Sequence, residues 1–299
     1  MKSVDLSVKV NGVPFRNPII PGSSDIVLDE RGVIKCIEQG VGGVVTKSFS
    51  SVGPRTRARP WHFNYRVFGK GFESSWISRG GAHPMSPEEA VEKLIPKMAR
   101  LCRDEGIPLI VSISDGPSVE QWVTDAKRFE EAGADMLELN FSCPHAGAQV
   151  HERVTARLGE DLDLVTEIMR ALKKAVRIPI SGKLGIVFYP FAHHVKGWTE
   201  AGTDFITCHN SLAGMLIDVE EETPFGGLGG GGYQFGRAYL PFNLWRVVET
   251  KKLTDVPIIA SGGVWQAVDA IDGFPPPTMA ETASPKASGR TQAAEDRRD

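Results

Sequence analysis

Asn140, Cys143 and His145 stand within a few positions of one another, directly behind the apolar run Met136–Leu139. Lys47 and Lys183 each close another such run. A lysine at the end of a buried strand is costly unless it faces an anion or an electron-rich ring. Other apolar runs end on Gly22-Ser23-Ser24, Ser112-Ile113-Ser114, Thr207-Cys208-His209-Asn210-Ser211 and Ser261-Gly262-Gly263. Glycines let backbone N–H groups approach a phosphate. Amides, hydroxyls and two cations gathered on one rim suit a flat, hydrogen-bonding ligand with an anionic end. By itself a cysteine after a strand is a small buried hydrophobe, and Cys36, Cys102 and Cys208 are read that way. Cys143 with His145 makes no metal site without further ligands, so no metal is expected. His193-His194 opens a helical pattern and is read as surface.

The runs themselves are Pro18–Ile20, Gly43–Lys47, Leu109–Ile113, Met136–Leu139, Ile178–Leu184, Phe205–Thr207 and Val256–Ala260. Most are rich in Val and Ile and bounded by Gly or polar residues, as parallel strands buried on both faces require. Helical patterns alternate with them. Ser86-Pro87-Glu88-Glu89 caps one that runs to about Glu105, and others span roughly Val119–Ala132, Leu162–Ala175, Ala192–Ala201 and Asn243–Lys251. One joint recurs: Glu38-Gln39-Gly40-Val41-Gly42, Glu131-Ala132-Gly133-Ala134-Asp135 and Glu200-Ala201-Gly202-Thr203-Asp204. Each ends a helix on glycine and drops into a strand. This repetition favours a (β/α)8 TIM-type barrel over a doubly wound open sheet. Asn11-Gly12, with alternation on either side, predicts a hairpin ahead of the barrel.

Hydrophobic residues make up 41% of the 299, enough for a large core. Lys+Arg 34 against Asp+Glu 37 argues against nucleic acid or a membrane surface as partner. No segment is apolar enough to span a bilayer and the N-terminus has no signal-peptide pattern, so a cytoplasmic protein is expected. After Ile271 the chain has no Leu, Ile or Val, and Pro275-Pro276-Pro277 interrupts it. Residues 1–272 are therefore expected to form the barrel, with seven strands and the eighth missing. Residues 273–299 are expected to be a disordered Pro-rich tail.

Asn140-Phe141-Ser142-Cys143-Pro144-His145 resembles the signature of the dihydroorotate and dihydropyrimidine dehydrogenases. Asn17-Pro18, Thr46-Lys47-Ser48, Gly182-Lys183-Leu184, His209-Asn210-Ser211, Gly226–Leu228, Gly236–Pro241 and Ala260–Val264 continue that resemblance in family order. It implies an FMN-dependent CH–CH oxidoreductase that interconverts a pyrimidine and its 5,6-dihydro form. Cys143 would be the general acid/base at C5. Asn140, Asn210 and Ser211 would bind the pyrimidine amides. Gly22, Ser23, Lys47, Ser48, Lys183, Gly236, Gly262 and Gly263 would hold FMN.

The chain departs from the family in three places. The stretch Glu73–Ser78 lacks the substrate-binding asparagine, the Gly226–Gly232 run is expanded, and the last strand with its phosphate turn is expected to be missing. His145 and the length of the following loop lean towards dihydropyrimidine dehydrogenase, with dihydroorotate dehydrogenase as the alternative. A truncated, non-catalytic barrel is a further alternative. A Cys/His hydrolase fits less well, because the two rim lysines would have no role in it. With no NAD fingerprint and no cysteine cluster, the resemblance implies a partner subunit or soluble acceptor for the electrons. Homo-oligomerisation is left open.

Overall fold

A computed structural model describes residues 4–52, 65–68, 75–78, 81–141, 158–185, 190–220, 222–224, 232–266, 269–270 and 278–282. The chain opens with the expected hairpin, β1 (Val8–Val10) against β2 (Val13–Phe15), turning on Asn11 and Gly12 at φ 45° and 85°. The barrel begins with β3 (Ile19–Pro21), helix α1 (Glu30–Glu38) and β4 (Val44–Val45). Two further strands follow, β5 (Tyr65–Phe68) and β6 (Ser75–Ser78).

The pattern expected as one helix from Ser86 is two, α2 (Pro87–Lys93) and α3 (Ile95–Asp104). They part at Leu94 because Pro96 has no N–H to continue the ladder. Then come β7 (Leu109–Ile113), α4 (Val119–Glu131), β8 (Met136–Asn140), α5 (Leu162–Ala175), β9 (Ile180–Lys183), α6 (Phe191–Ala201) and β10 (Phe205–Cys208). Short strands β11 (Leu212–Gly214), β12 (Ile217–Asp218), β13 (Thr223–Pro224) and β14 (Gly232–Gly236) precede α7 (Leu240–Lys251). Strands β15 (Ile258–Ser261) and β16 (Thr278–Thr282) end the described chain. The recurrent joints place Gly40, Gly133 and Gly202 at φ 81°, 106° and 95°, the left-handed conformation that stops each helix.

The main sheet has eight strands in the order β3-β16-β15-β10-β9-β8-β7-β4. Its two ends meet where Gly42 N donates to Ile19 O over 2.7 Å. The fold is an α/β TIM-type barrel with an N-terminal hairpin, as expected. The eighth strand, expected to be missing, is present. Thr278–Thr282 pairs in parallel with both β15 and β3. Backbone edges on either side select a strand through hydrogen bonds, so a segment without β-branched apolar residues can fill the place. The strand lies past the expected boundary at 272, and 283–299 lie outside the described residues.

The barrel interior changes character along its axis, because alternate residues of each strand point inward. At the N-terminal end Ile20, Val45, Ile110, Met136, Phe205 and Ile259 form an apolar cluster closed by Val10 and Phe15 of the hairpin. One step along, the inward residues are Ser112, Glu138, Ser181 and Thr207, all buried. The outward positions Val111, Leu137, Leu139, Ile206 and Ala260 pack in the larger core between sheet and helices. A second antiparallel sheet, in the order β11-β14-β6-β5, is built from the segments after β4 and β10. Trp76 on its β6 lies 5.6 Å from Phe235 and 5.0 Å from Trp265, beyond β15.

Candidate active site

Ser112 and Glu138 of the polar layer belong to one hydrogen-bonded network that runs to the strand ends. Ser112 and Glu138 stand opposite each other across β7 and β8, and Ser112 Oγ donates to Glu138 Oε1 over 2.9 Å. Lys183 Nζ reaches the same oxygen over 3.2 Å. Ser112 Oγ lies 2.9 Å from Ser48 Oγ, which in turn lies 3.2 Å from Ser23 Oγ. Asn140 Nδ2 donates to Ser48 Oγ over 3.1 Å, and Asn210 Nδ2 donates to Asn140 Oδ1 over 2.9 Å. Asn210 Oδ1 accepts from Ser211 N over 2.9 Å. Six of the residues singled out in the sequence, Ser23, Ser48, Asn140, Lys183, Asn210 and Ser211, are thus brought together.

Sequence reasoning missed Glu138, although a glutamate flanked by leucines inside a buried strand is itself a signal. It missed Asp25 as well. Lys47 Nζ forms an ion pair with Asp25 Oδ1 at 2.9 Å, both side chains being largely covered.

A second group lies around β15 and the start of α7. Gly262 and Gly263 turn at φ 97° and 84°. A Cβ on Gly263 would sit 2.6 Å from Leu240 N, so the turn lies against the helix start. No side chain caps that helix end. Asn243 Nδ2 donates to Gly262 O. Gly236, at φ 133°, leads into the same helix.

His209 is buried beside this group, with Nδ1 2.7 Å from Asn210 O. Burial pushes its ring down to about 4, against the Asn210 carbonyl and with the Arg246 and Lys183 charges adding to burial, so it is neutral at neutral pH. The histidine pair read as surface includes His194, which is buried with Nε2 2.8 Å from Gly159 O. Cys36, Cys102 and Cys208 are buried and free, as read. Cys143, the proposed acid/base, lies outside the described residues, as do Gly226–Leu228. Among the described residues no cluster of His, Cys, Asp or Glu could hold a metal ion.

Residues 5–275 match the family model described as dihydroorotate dehydrogenase. The chain belongs to the dihydroorotate dehydrogenase family. It is thus an oxidoreductase of the CH–CH group. The chain is 32% identical to the dihydroorotate dehydrogenase B (NAD(+)) catalytic subunit of Methanothermobacter thermautotrophicus, over 89% of this chain and 82% of that protein. It is 27% identical to the dihydroorotate dehydrogenase A (fumarate) of Lactiplantibacillus plantarum, over 90% and 83%. A crystal structure of DHODH from Eimeria tenella in complex with ferulenol superposes with a TM-score of 0.70 at 18% identity, covering 95% of this chain and 81% of that one. That likeness supports the barrel fold alone. Asn140 and Lys183 stand opposite each other at the ends of β8 and β9.

Proposed function

We propose that this chain is an FMN-dependent dihydroorotate dehydrogenase, oxidising the C5–C6 bond of a dihydropyrimidine. The names of the relatives favour dihydroorotate, which reverses the lean towards dihydropyrimidine dehydrogenase drawn from His145. The observation that carries the reading is the buried polar network above an apolar floor, reaching from Lys183 through Glu138, Ser112 and Ser48 to Asn140 and Asn210. A barrel filled only for stability would continue its apolar layers.

The residues fit FMN. The turn at Gly262-Gly263, at positive φ, is one where backbone N–H groups can approach a phosphate. Gly22 and Gly236 would leave room for the remaining phosphate and ribityl contacts. Lys183 and Lys47 would stabilise negative charge on the ring. Bound FMN would supply a two-electron acceptor for hydride from C6. Cys143 would take the C5 proton, completing the double bond. Asn140, Asn210 and Ser211 would hold the amide edges of the substrate. Ser23 and Ser48 would support the ring side of the site.

Uracil or thymine is the second reading, favoured by the neutral amides of Asn140 and Asn210. The relatives called catalytic subunits support an electron-accepting partner subunit, with a soluble acceptor as the other route. Among the described residues no helix is long and apolar enough to cross a membrane, which accords with a cytoplasmic location. The barrel domain would extend to Thr282. The test is rapid mixing. Protein loaded with FMN should lose its flavin absorbance with dihydroorotate faster than the reduced protein regains it with uracil or thymine. Bleaching by neither dihydroorotate nor dihydrouracil would sink the reading.

A further inference from the structure

We propose that Glu138 is a positioning residue: it tethers Lys183 and, through it, sets how strongly the site prefers reduced over oxidised flavin. The inference rests on the FMN reading and adds a residue to it. Glu138 and Lys183 are 1% and 4% exposed, and their contact is 3.2 Å. Glu138 Oε1 is itself fixed by the Ser112 hydroxyl at 2.9 Å. Ser112 is fixed in turn by Ser48, which also takes the Asn140 amide. The carboxylate is therefore held from the floor of the site, and the lysine ends a strand at its rim.

Stability alone does not account for this pair. Exchanging a buried ion pair for well-packed neutral residues is often neutral or stabilising. The other inward residues at this level, Ser112, Ser181 and Thr207, are neutral and satisfied by hydrogen bonds. A lysine required at the rim for the flavin explains why a counter-charge is placed beneath it. Glu138 would hold the cation in place and offset part of its charge. The offset weakens the site's hold on the more negative, reduced flavin.

The test uses the full chain loaded with FMN, and reads the midpoint potential of the bound flavin at one fixed pH. Glu138→Gln should raise the potential, by a tenfold change in the preference for reduced flavin, about 30 mV for a two-electron couple. In a Lys183→Met background the same change should shift nothing. With the lysine gone, Glu138 has no cation at position 183 to hold or to offset. An unchanged or lowered potential in Glu138→Gln overturns the proposal. So does an equal shift in the Lys183→Met background. If Glu138→Gln does not fold, Lys183→Met and Glu138→Gln/Lys183→Met are compared directly, and a difference in potential overturns it. Failure of the natural chain to bind FMN would overturn the FMN reading and this inference together. Binding with no shift overturns only this one.

Discussion

Ser48 and Asn140 are 92 residues apart in the chain and lie beyond β4 and on β8, two strands that flank β7, yet the Asn140 amide donates to the Ser48 hydroxyl over 3.1 Å. The same hydroxyl meets Ser23 and Ser112. Ser48→Ala removes three contacts at once. The expected cost is about 1–3 kcal/mol of stability. It should appear as a lower urea midpoint with an unchanged slope. An unaltered midpoint would show that the network does not hold the barrel together.

The glycine turn gives a sharper test of cofactor binding. Thermal stability should rise with FMN by mass action, about 2.7 kcal/mol at a hundredfold excess over the dissociation constant. Gly263→Ala places a Cβ against the start of α7 at a positive φ. FMN should bind this variant more weakly, and the gain on adding FMN should shrink in differential scanning fluorimetry.

Cys143 is testable although it lies outside the described residues. Cys143→Ala should keep FMN and lose ~10²–10⁴-fold in turnover. Cys143→Ser should retain more activity at high pH, where the weaker acid can still exchange a proton. Full turnover by the alanine variant would remove the acid/base role.

Two buried groups give the stability opposite slopes with pH. His209 is lowered to about 4 by burial, so the unfolded chain binds more protons between its ordinary value near 6.5 and that value. Its contribution is fully present above the unfolded value and is lost as pH falls through the window, on the order of 3 kcal/mol. Asp115 behaves oppositely. Burial, with Asp125 beside it, holds its carboxyl well above the carboxylate range despite the Ser51 N–H. Its contribution is present below the unfolded carboxylate value and is lost as pH rises through the raised one. His209→Gln should flatten the acid side of a stability-against-pH curve, and Asp115→Asn the opposing slope. Unaltered curves would mean that neither group titrates as placed.

Ending the chain at residue 272 removes β16 and leaves one edge each of β3 and β15 without its partner. The shortened protein should melt at a lower temperature and self-associate, since open edges pair with other chains. Equal melting temperatures and a monodisperse short form would show that the strand contributes no stability.

Sequence alone was enough for seven of the parallel strands, because burial on both faces writes unbroken Val/Ile runs, and for the three helix-to-strand joints where a left-handed glycine stops the helix. Gly40, Gly133 and Gly202 carry that information locally. It was enough, too, for the family and for the strand-end residues Ser48, Asn140, Lys183 and Asn210, since a strand's end is a position along the chain. Tertiary structure alone decided which of these meet. Hydrogen bonds from Asn140 to Ser48 and from Lys183 to Glu138 join residues 92 and 45 positions apart. No local pattern records such a separation. The eighth strand was decided there as well: Thr278–Thr282 pairs through its backbone with two existing edges, and backbone hydrogen bonding leaves no mark in side-chain composition. His194 reads as a surface residue until a carbonyl from another segment, Gly159, is seen to satisfy it in the interior.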